Sequence, residues 1–345
     1  MIPATHFGSD NHSGVHPLIL ESLARVNQGH AAAYGTDDYT QEVTQKLKKH
    51  FSKDAEIHFV FNGTAANVLS LSCFANSYHA VLTANTAHLW VDECGAPEKL
   101  IGCKLICVSS SDGKLKAKDL SDHLIRKGDQ HASQIVGISI TQPTEYGTVY
   151  SLEELEELHQ FAIKNSLYLH MDGSRLVNAA IHLGVSLLEM TKHVDVLSLG
   201  GTKNGLLFGE AVVILNKSLA KDFKFKRKQF MQLASKTRFI AAQFDAWLGT
   251  DLWREISQHS LAMAQKLRQT LSLIPEVQIT QATQSNAVFA IFPKYIVHEL
   301  KKHHFFYIWN EKTFEARLMT SFDSNELDIQ LFGQKIKELL SEKAK

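Results

Sequence analysis

Several features that would narrow the class of a protein at once are scarce in this chain. Four cysteines (Cys73, Cys94, Cys103, Cys107) occur in 345 residues. Their irregular placement excludes a disulfide framework in a chain of this length. It also matches no CxxC pattern, so zinc could draw only on the unpatterned set His88, Cys94, Cys103 and Cys107, and no metal is expected. No uninterrupted apolar run approaches the ~20 residues needed to span a bilayer. Met1-Ile2-Pro3-Ala4-Thr5-His6 has neither a basic n-region nor an apolar h-region, so no signal peptide is expected and the cytoplasm is the expected compartment. Charge of one sign is not in excess: Lys+Arg and Asp+Glu are both 36, so nothing calls for nucleic acid or an anionic membrane as partner. Internal repeats, low-complexity stretches and the Gly-Lys-Ser/Thr of a Walker A loop are missing as well.

What is present is alternation. From about residue 57 to 216, short β-like runs alternate with helical patterns. Ile57 to Phe61 alternates at period two, and Gly63-Thr64-Ala65-Ala66-Asn67 then opens a helical stretch to about Tyr78. Further strand candidates are 80–83, 104–108, 134–141, 167–171, 194–199 and 211–215. Ser151-Leu152-Glu153-Glu154 is a capping-box start, after which Leu155, Leu158 and Ala162 fall on one helical face. This rhythm predicts an α/β fold whose large domain holds a mainly parallel sheet, with right-handed crossovers covering both faces. After about residue 246 it changes: a helix from Trp253 to about Ile274, strands at 277–280 and 287–292, a helix over 295–303, a strand near 317–322 and a final helix over 324–342. The expected organisation is an N-terminal arm (1–20), a large domain (21–246) and a smaller C-terminal α/β domain (247–345).

The chemistry is carried by Met171-Asp172-Gly173-Ser174-Arg175 and Gly200-Gly201-Thr202-Lys203-Asn204-Gly205, each at the end of a β-like run. An acid, an arginine and a lysine at the carboxyl ends of neighbouring strands are what pyridoxal phosphate (PLP) requires: lysine forms the Schiff base and the acid pairs with the pyridine nitrogen. Asp172 could instead be a helix cap or a salt-bridge partner of Arg175, and Lys203 a surface lysine in a turn. Arg175 could reach the ring oxygen or a substrate carboxylate as a bidentate donor. The turn at Gly63 and Thr64, where a strand opens into a helix, offers free N–H groups and the positive end of the dipole to a phosphate, unless Thr64 is simply the N-cap. His88 could stack on a cofactor ring or act as a base, with Glu93 as a hydrogen-bond partner or a cap.

The ordered set Phe7-Gly8-Ser9-Asp10-Asn11, Tyr34-Gly35-Thr36-Asp37-Asp38, Asn62 to Asn67, Ala87-His88, His170 to Arg175, Gly200 to Gly205 and Ala316-Arg317-Leu318-Met319 resembles the L-threonine aldolases, especially the bacterial low-specificity branch. These are PLP-dependent lyases of the aspartate aminotransferase-type fold (fold type I). The resemblance covers nearly the whole chain. It implies that Lys203 binds PLP covalently, Asp172 pairs with the pyridinium, His88 stacks on the ring, and Gly63 and Thr64 hold phosphate. Ser9, Arg175 and Arg317 are implied for the substrate carboxylate, and Tyr34 for the active-site rim. Arg238, and more loosely Lys228, are implied as phosphate contacts from a neighbouring subunit of a homo-oligomer, a homotetramer built from dimers. One departure stands out: where many members carry Glu-Asn-Thr-His near the substrate hydroxyl, this chain reads Gln142-Pro143-Thr144-Glu145.

The activity so implied is retro-aldol cleavage of L-threonine and L-allo-threonine to glycine and acetaldehyde, a step in threonine catabolism and glycine formation. His88, directly or through water, is the first candidate for the base that takes the β-hydroxyl proton. A β-eliminating lyase or an aminotransferase would share the cofactor residues, so the cofactor site alone does not decide among them. A non-catalytic PLP-binding protein would have no use for Lys203, Asp172 and Arg317 together.

Overall fold

A computed structural model describes residues 6–342; Met1–Thr5 of the expected arm and the last three residues lie outside it. The apolar runs of the first two-thirds become seven strands: β1 (Glu56–Val60), β2 (His79–Ala84), β3 (Lys104–Val108), β4 (Gln134–Thr141), β5 (Tyr168–Gly173), β6 (Val196–Gly200) and β7 (Glu210–Ile214). They form one sheet in the order β1-β7-β6-β5-β4-β2-β3. β2 to β6 run parallel, whereas β7 is antiparallel to both β6 and β1. The reason is the connection. β6 reaches β7 through a short turn, which permits only an antiparallel return, whereas each parallel pair needs a long crossover. β6 and β7 are buried along their whole length, as expected of a sheet covered on both faces.

The helices follow local signals. Ser151 accepts the Glu154 N–H while the Glu154 side chain accepts the Ser151 N–H, so the capping box forms and starts helix Leu152–Lys164. Leu155, Leu158 and Ala162 are the buried residues of that helix. The helix after β1 runs over Gly63–Ser72, shorter than the expected stretch to Tyr78, because Cys73 and Phe74 tighten onto Ser70 and Leu71 carbonyls and close it. Its N-cap is Asn62, whose side chain accepts the Ala65 N–H at 2.9 Å, and not Thr64.

The C-terminal part builds a second sheet in the order β10-β11-β9-β8, from β8 (Gln278–Ile279), β9 (Ala287–Ile291), β10 (Tyr307–Asn310) and β11 (Glu315–Met319). β11 starts earlier than the expected 317–322, and β10 has no counterpart in the sequence reading. β10 is an edge strand with no buried residue, so it carries no alternating apolar signal. Helix Leu252–Ser272 joins the two cores. Leu252, Trp253 and Ile256 pack in the core of the large sheet, and Met263, Ala264, Leu267 and Leu271 in that of the small one. Phe7 also lies in the small core, its N–H donating to the Phe305 carbonyl and its carbonyl accepting from Met319, both at 2.8 Å. The N-terminal arm is thereby stitched across the small sheet, which brings Ser9 and Asp10 to the carboxyl ends of β4, β5 and β6. No helix among the described residues is long and apolar enough to cross a membrane.

Candidate active site

The parallel register sets Thr141 of β4 beside Asp172 of β5, and Asp172 beside Ser198 of β6. Ligands of open α/β sheets bind outside these carboxyl ends. One cavity there is lined by Lys203, Asp172, His88, Arg175, Arg317 and Glu145, with Ser9 also at its wall. The sequence reading dispersed these residues over more than 300 positions; the sheet edge gathers them.

Asp172 is buried. One carboxylate oxygen accepts the Ser174 N–H (2.9 Å) and hydroxyl (2.7 Å), the other the Asn67 amide N–H (2.9 Å). It does not pair with Arg175, which correctly removes the salt-bridge alternative: Arg175 is turned to Asp10. Burial opposes ionisation of Asp172, but the His88 charge, the Asn67 amide, Lys203 and Ser174 outweigh it and hold the carboxyl below its ordinary range. The result is a fixed anion facing the cavity, stabilised by the His88 charge first and by the Asn67 and Ser174 donors and Lys203 beside it.

Lys203 stands on a short turn (Thr202–Asn204) directly after β6. Two glycines make the turn possible. A Cβ on Gly200 would lie 2.3 Å from the Ser174 carbonyl oxygen, and Gly205 has φ +90°, in the left-handed region. The Asn204 amide clamps the turn, donating to the Gly200 (2.9 Å) and Ser174 (3.1 Å) carbonyls. Glu210 of β7 accepts the Gly201 N–H at 2.6 Å. Burial and the nearby Arg175 charge lower the Lys203 pKa, which favours the neutral, nucleophilic amine.

His88 Nδ1 donates to a Glu93 carboxylate oxygen at 2.8 Å, and the same oxygen accepts from Asn67 at 2.8 Å. A single amide, that of Asn67, thus joins Asp172 to the His88–Glu93 pair. The hydrogen bond to Glu93 raises the His88 pKa against the opposing effect of burial. Glu145 reaches the same place from the loop after β4. Its Oε1 accepts the His88 backbone N–H and the Thr141 hydroxyl, both at 2.9 Å. His170, by contrast, sits between the Ser139 (2.8 Å) and Ser198 (3.0 Å) hydroxyls, and burial takes its pKa down to about 4.

Two guanidinium groups face the cavity. Asp10 holds Arg175 by paired bonds of 2.5 Å to Nε and 2.7 Å to Nη2. Despite its burial, Asp10 is pulled down to about 2 by that pairing, with help from Lys203 and the Asn286 amide. Arg317 lies over the Trp309 ring, 4.9 Å from its centroid, with its Nε buried and without a partner. Burial and the Arg175 charge lower its pKa, the signature of a cation that lacks a counter-ion.

The remaining residues divide. Gly63 and Thr64 open a helix at the edge of the large sheet, where a Cβ on Gly63 would meet nothing within 4 Å. Tyr34, Lys228 and Arg238 do not line the Lys203 cavity. Tyr34 and Lys228 are exposed and paired, Lys228 Nζ lying 5.2 Å from the Tyr34 ring centroid, while the half-buried Arg238 donates to the Gln28 (3.3 Å) and Gly29 (3.4 Å) carbonyls. His88, Cys94, Cys103 and Cys107 form no metal-binding group among the described residues. Sequence reasoning missed the roles of Asp10, Asn67 and Glu210. Asp10 and Asn67 lay inside motifs already singled out, so their signal was present; Glu210, inside an apolar strand, could have been flagged as an acid needing a buried partner.

Comparison with known proteins agrees with this geometry. The sequence pattern of the beta-eliminating lyases matches residues 6–292. The low specificity L-threonine aldolase of Pseudomonas aeruginosa is 38% identical over 326 residues, 92% of this chain and 93% of that one. The enzyme of the same name from Pseudomonas sp. is 37% identical, with 97% and 98% covered. The structure of a threonine aldolase from Leishmania major superposes with a TM-score of 0.92 at 29% identity, covering 97% of this chain and 99% of that one. The chain is a lyase with the fold expected of it, and it belongs to the beta-eliminating lyase family and, within that family, to the low-specificity L-threonine aldolases.

Proposed function

We propose that this protein is a PLP-dependent aldolase that cleaves the Cα–Cβ bond of L-threonine and L-allo-threonine, yielding glycine and acetaldehyde. The observation that carries the reading is one cavity uniting a half-buried lysine of lowered pKa, a fixed carboxylate and two arginines, one of them with its Nε unpartnered among the described residues. The residues present fit PLP. Gly63 leaves open space at a helix N-terminus for phosphate, Asn67 Oδ1 and Arg317 Nε are buried polar atoms awaiting partners, and Asp172 is an anion without a cationic mate in contact.

In this reading Lys203 Nζ holds the cofactor covalently, Asp172 keeps a proton on its ring nitrogen, His88 covers the ring, and Gly63 and Thr64 bind its phosphate. When bound, PLP supplies the electron sink that bond cleavage at Cα requires. Arg317, Arg175 and Ser9 fix the substrate carboxylate, which sets the direction of the Cα–Cβ bond; such orientation is a major catalytic contribution. Tyr34, Lys228 and Arg238 serve a neighbouring subunit's site, in a homotetramer built from dimers. That role accounts for the absence of all three from the lining of their own chain's Lys203 cavity.

A coupled acetaldehyde assay on purified protein tests the reaction, run with L-threonine, L-cysteine and L-alanine to separate aldol cleavage from elimination and transamination. Acetaldehyde from threonine is the expected result, whereas turnover confined to cysteine or alanine refutes it. Borohydride treatment of the cofactor-loaded protein should leave a pyridoxyl tag on Lys203, and recovery of the tag on another lysine would reject that assignment.

A further inference from the structure

Glu145 occupies the place where the sequence departs from its family, and its surroundings assign it more than a contact. Oε1 is fixed by two donors, the His88 N–H and the Thr141 hydroxyl, each at 2.9 Å. Oε2 is buried and has no hydrogen-bond partner. An ionised carboxylate can only accept, so burying one of its oxygens without a donor is costly; a protonated carboxyl carries an O–H and accepts through its other oxygen. With both donors on Oε1 and none on Oε2, protonation at Oε2 removes the buried, unpaired charge and leaves an O–H that no acceptor among the described residues takes up. The carboxyl also lines the cavity that holds Lys203 and Arg317.

We propose that Glu145 carries a proton in the resting site and, once ionised, is the acceptor of the β-hydroxyl proton of the substrate. The inference rests on the aldolase reading. In the step, the hydroxyl O–H bond breaks and its proton passes to a Glu145 oxygen. The freed electron pair forms the carbonyl of acetaldehyde, and the Cα–Cβ pair stays with the glycine fragment. A proton returned from the carboxyl to Cα completes glycine and restores the carboxylate; the resting proton, lost to solvent before the step, is regained from solvent after it. His88 is less suited to that task, because Glu93 at 2.8 Å favours the imidazolium, which has no free lone pair to receive a proton.

The charged and titratable groups around Glu145 come from every neighbouring element: His88 and Asp92, Asp172 and Arg175, Lys203, Arg317 and the Tyr150 hydroxyl. Burial dominates among these influences, the Asp172 charge acts in the same direction, and the carboxyl is pushed up to about 7. A group titrating there is matched to proton exchange at neutral pH.

The test joins kinetics to a spectroscopic readout on the same holoenzyme. The infrared difference spectrum between wild type and Glu145→Gln should show a protonated-carboxyl stretch that disappears as pH rises through about 7. For L-threonine cleavage, Glu145→Gln should lower kcat by about 100-fold or more with KM little changed, and the rising limb of wild-type kcat/KM near neutral pH should flatten. Thr141→Val, which removes one donor to the ionised form, should move that limb to higher pH, and it decides the matter if Glu145→Gln does not fold. A wild type that makes no acetaldehyde overturns the aldolase reading and the catalytic role together. Acetaldehyde formation with Glu145→Gln turning over within about threefold of wild type, a limb unmoved in Thr141→Val, or no carboxyl band at any pH overturns the role of Glu145 alone.

Discussion

Replacing Asp172 by Asn keeps the shape of the side chain and removes its charge. The amide cannot hold a proton on a ring nitrogen by charge, so kcat for threonine cleavage should fall by at least about 100-fold, as on loss of other electrostatic stabilisers. Thermal unfolding should change far less; near-normal turnover in this variant would place the pyridinium partner elsewhere. Arg317→Ala should behave differently. Its Nε has no partner and its guanidinium no ion pair among the described residues, so its removal strands no carboxylate there. Loss of one partner of a desolvated charge pair costs about 2–5 kcal/mol, and kcat/KM should drop accordingly while the cofactor absorbance stays intact. Loss of PLP from this variant would mark Arg317 as structural. At this scale the sequence was partly legible. Asp172, Lys203 and Arg317 stand out as residue types, but the partner of Arg175 does not, because Asp10 lies 165 positions away and meets it only through the folded arm.

Elements were legible where a local rule wrote them. The Ser151–Glu154 box and the spacing of Leu155, Leu158 and Ala162 are properties of a few consecutive residues, and they fold as the pattern says. Of the two capping residues that lie two positions apart, Asn62 and not Thr64 caps the helix, because only backbone geometry chooses between them. Gly200 offers a test of the turn that carries Lys203. A methyl at this position would press on the Ser174 backbone at 2.3 Å, where no flexible side chain can yield. Gly200→Ala should therefore destabilise the protein by about 1–3 kcal/mol in denaturant unfolding, and should reduce borohydride tagging of Lys203. Wild-type stability would show that β6 and the Ser174 turn can part without cost.

For the whole molecule, Asp10 is the junction. It lies near the start of the described chain, pairs with Arg175 just after β5, and accepts at 3.0 Å from Asn286, whose amide also donates to Thr320 (2.7 Å) at the end of β11. Because its folded pKa, about 2, lies below the ordinary 3.8, its contribution to stability is present above the ordinary value and is lost as pH falls toward 2. A shift of that size corresponds to about 2 kcal/mol. The stability gap between wild type and Asp10→Asn, read from chemical denaturation, should therefore be wide at about pH 6 and narrow at about pH 2.5. An equal gap at both pH values would mean that packing, not charge, is what the substitution removes.

The sequence by itself determined the class of fold, most of the order of elements, the edge strand β10 apart, and the types of residue that the chemistry demands. These are written in short range, in hydrophobic period, capping signals and glycine turns, and local physics reads them within a few residues. The tertiary structure alone decided which groups meet. It turned Arg175 toward Asp10, tied Asp172 through Asn67 to Glu93 and His88, buried one oxygen of Glu145 without a partner, and left Tyr34, Lys228 and Arg238 apart from their own chain's lysine. Partners in a buried polar network are chosen by distance and desolvation across strands far apart in the chain, and no pattern of neighbours in sequence encodes those two quantities.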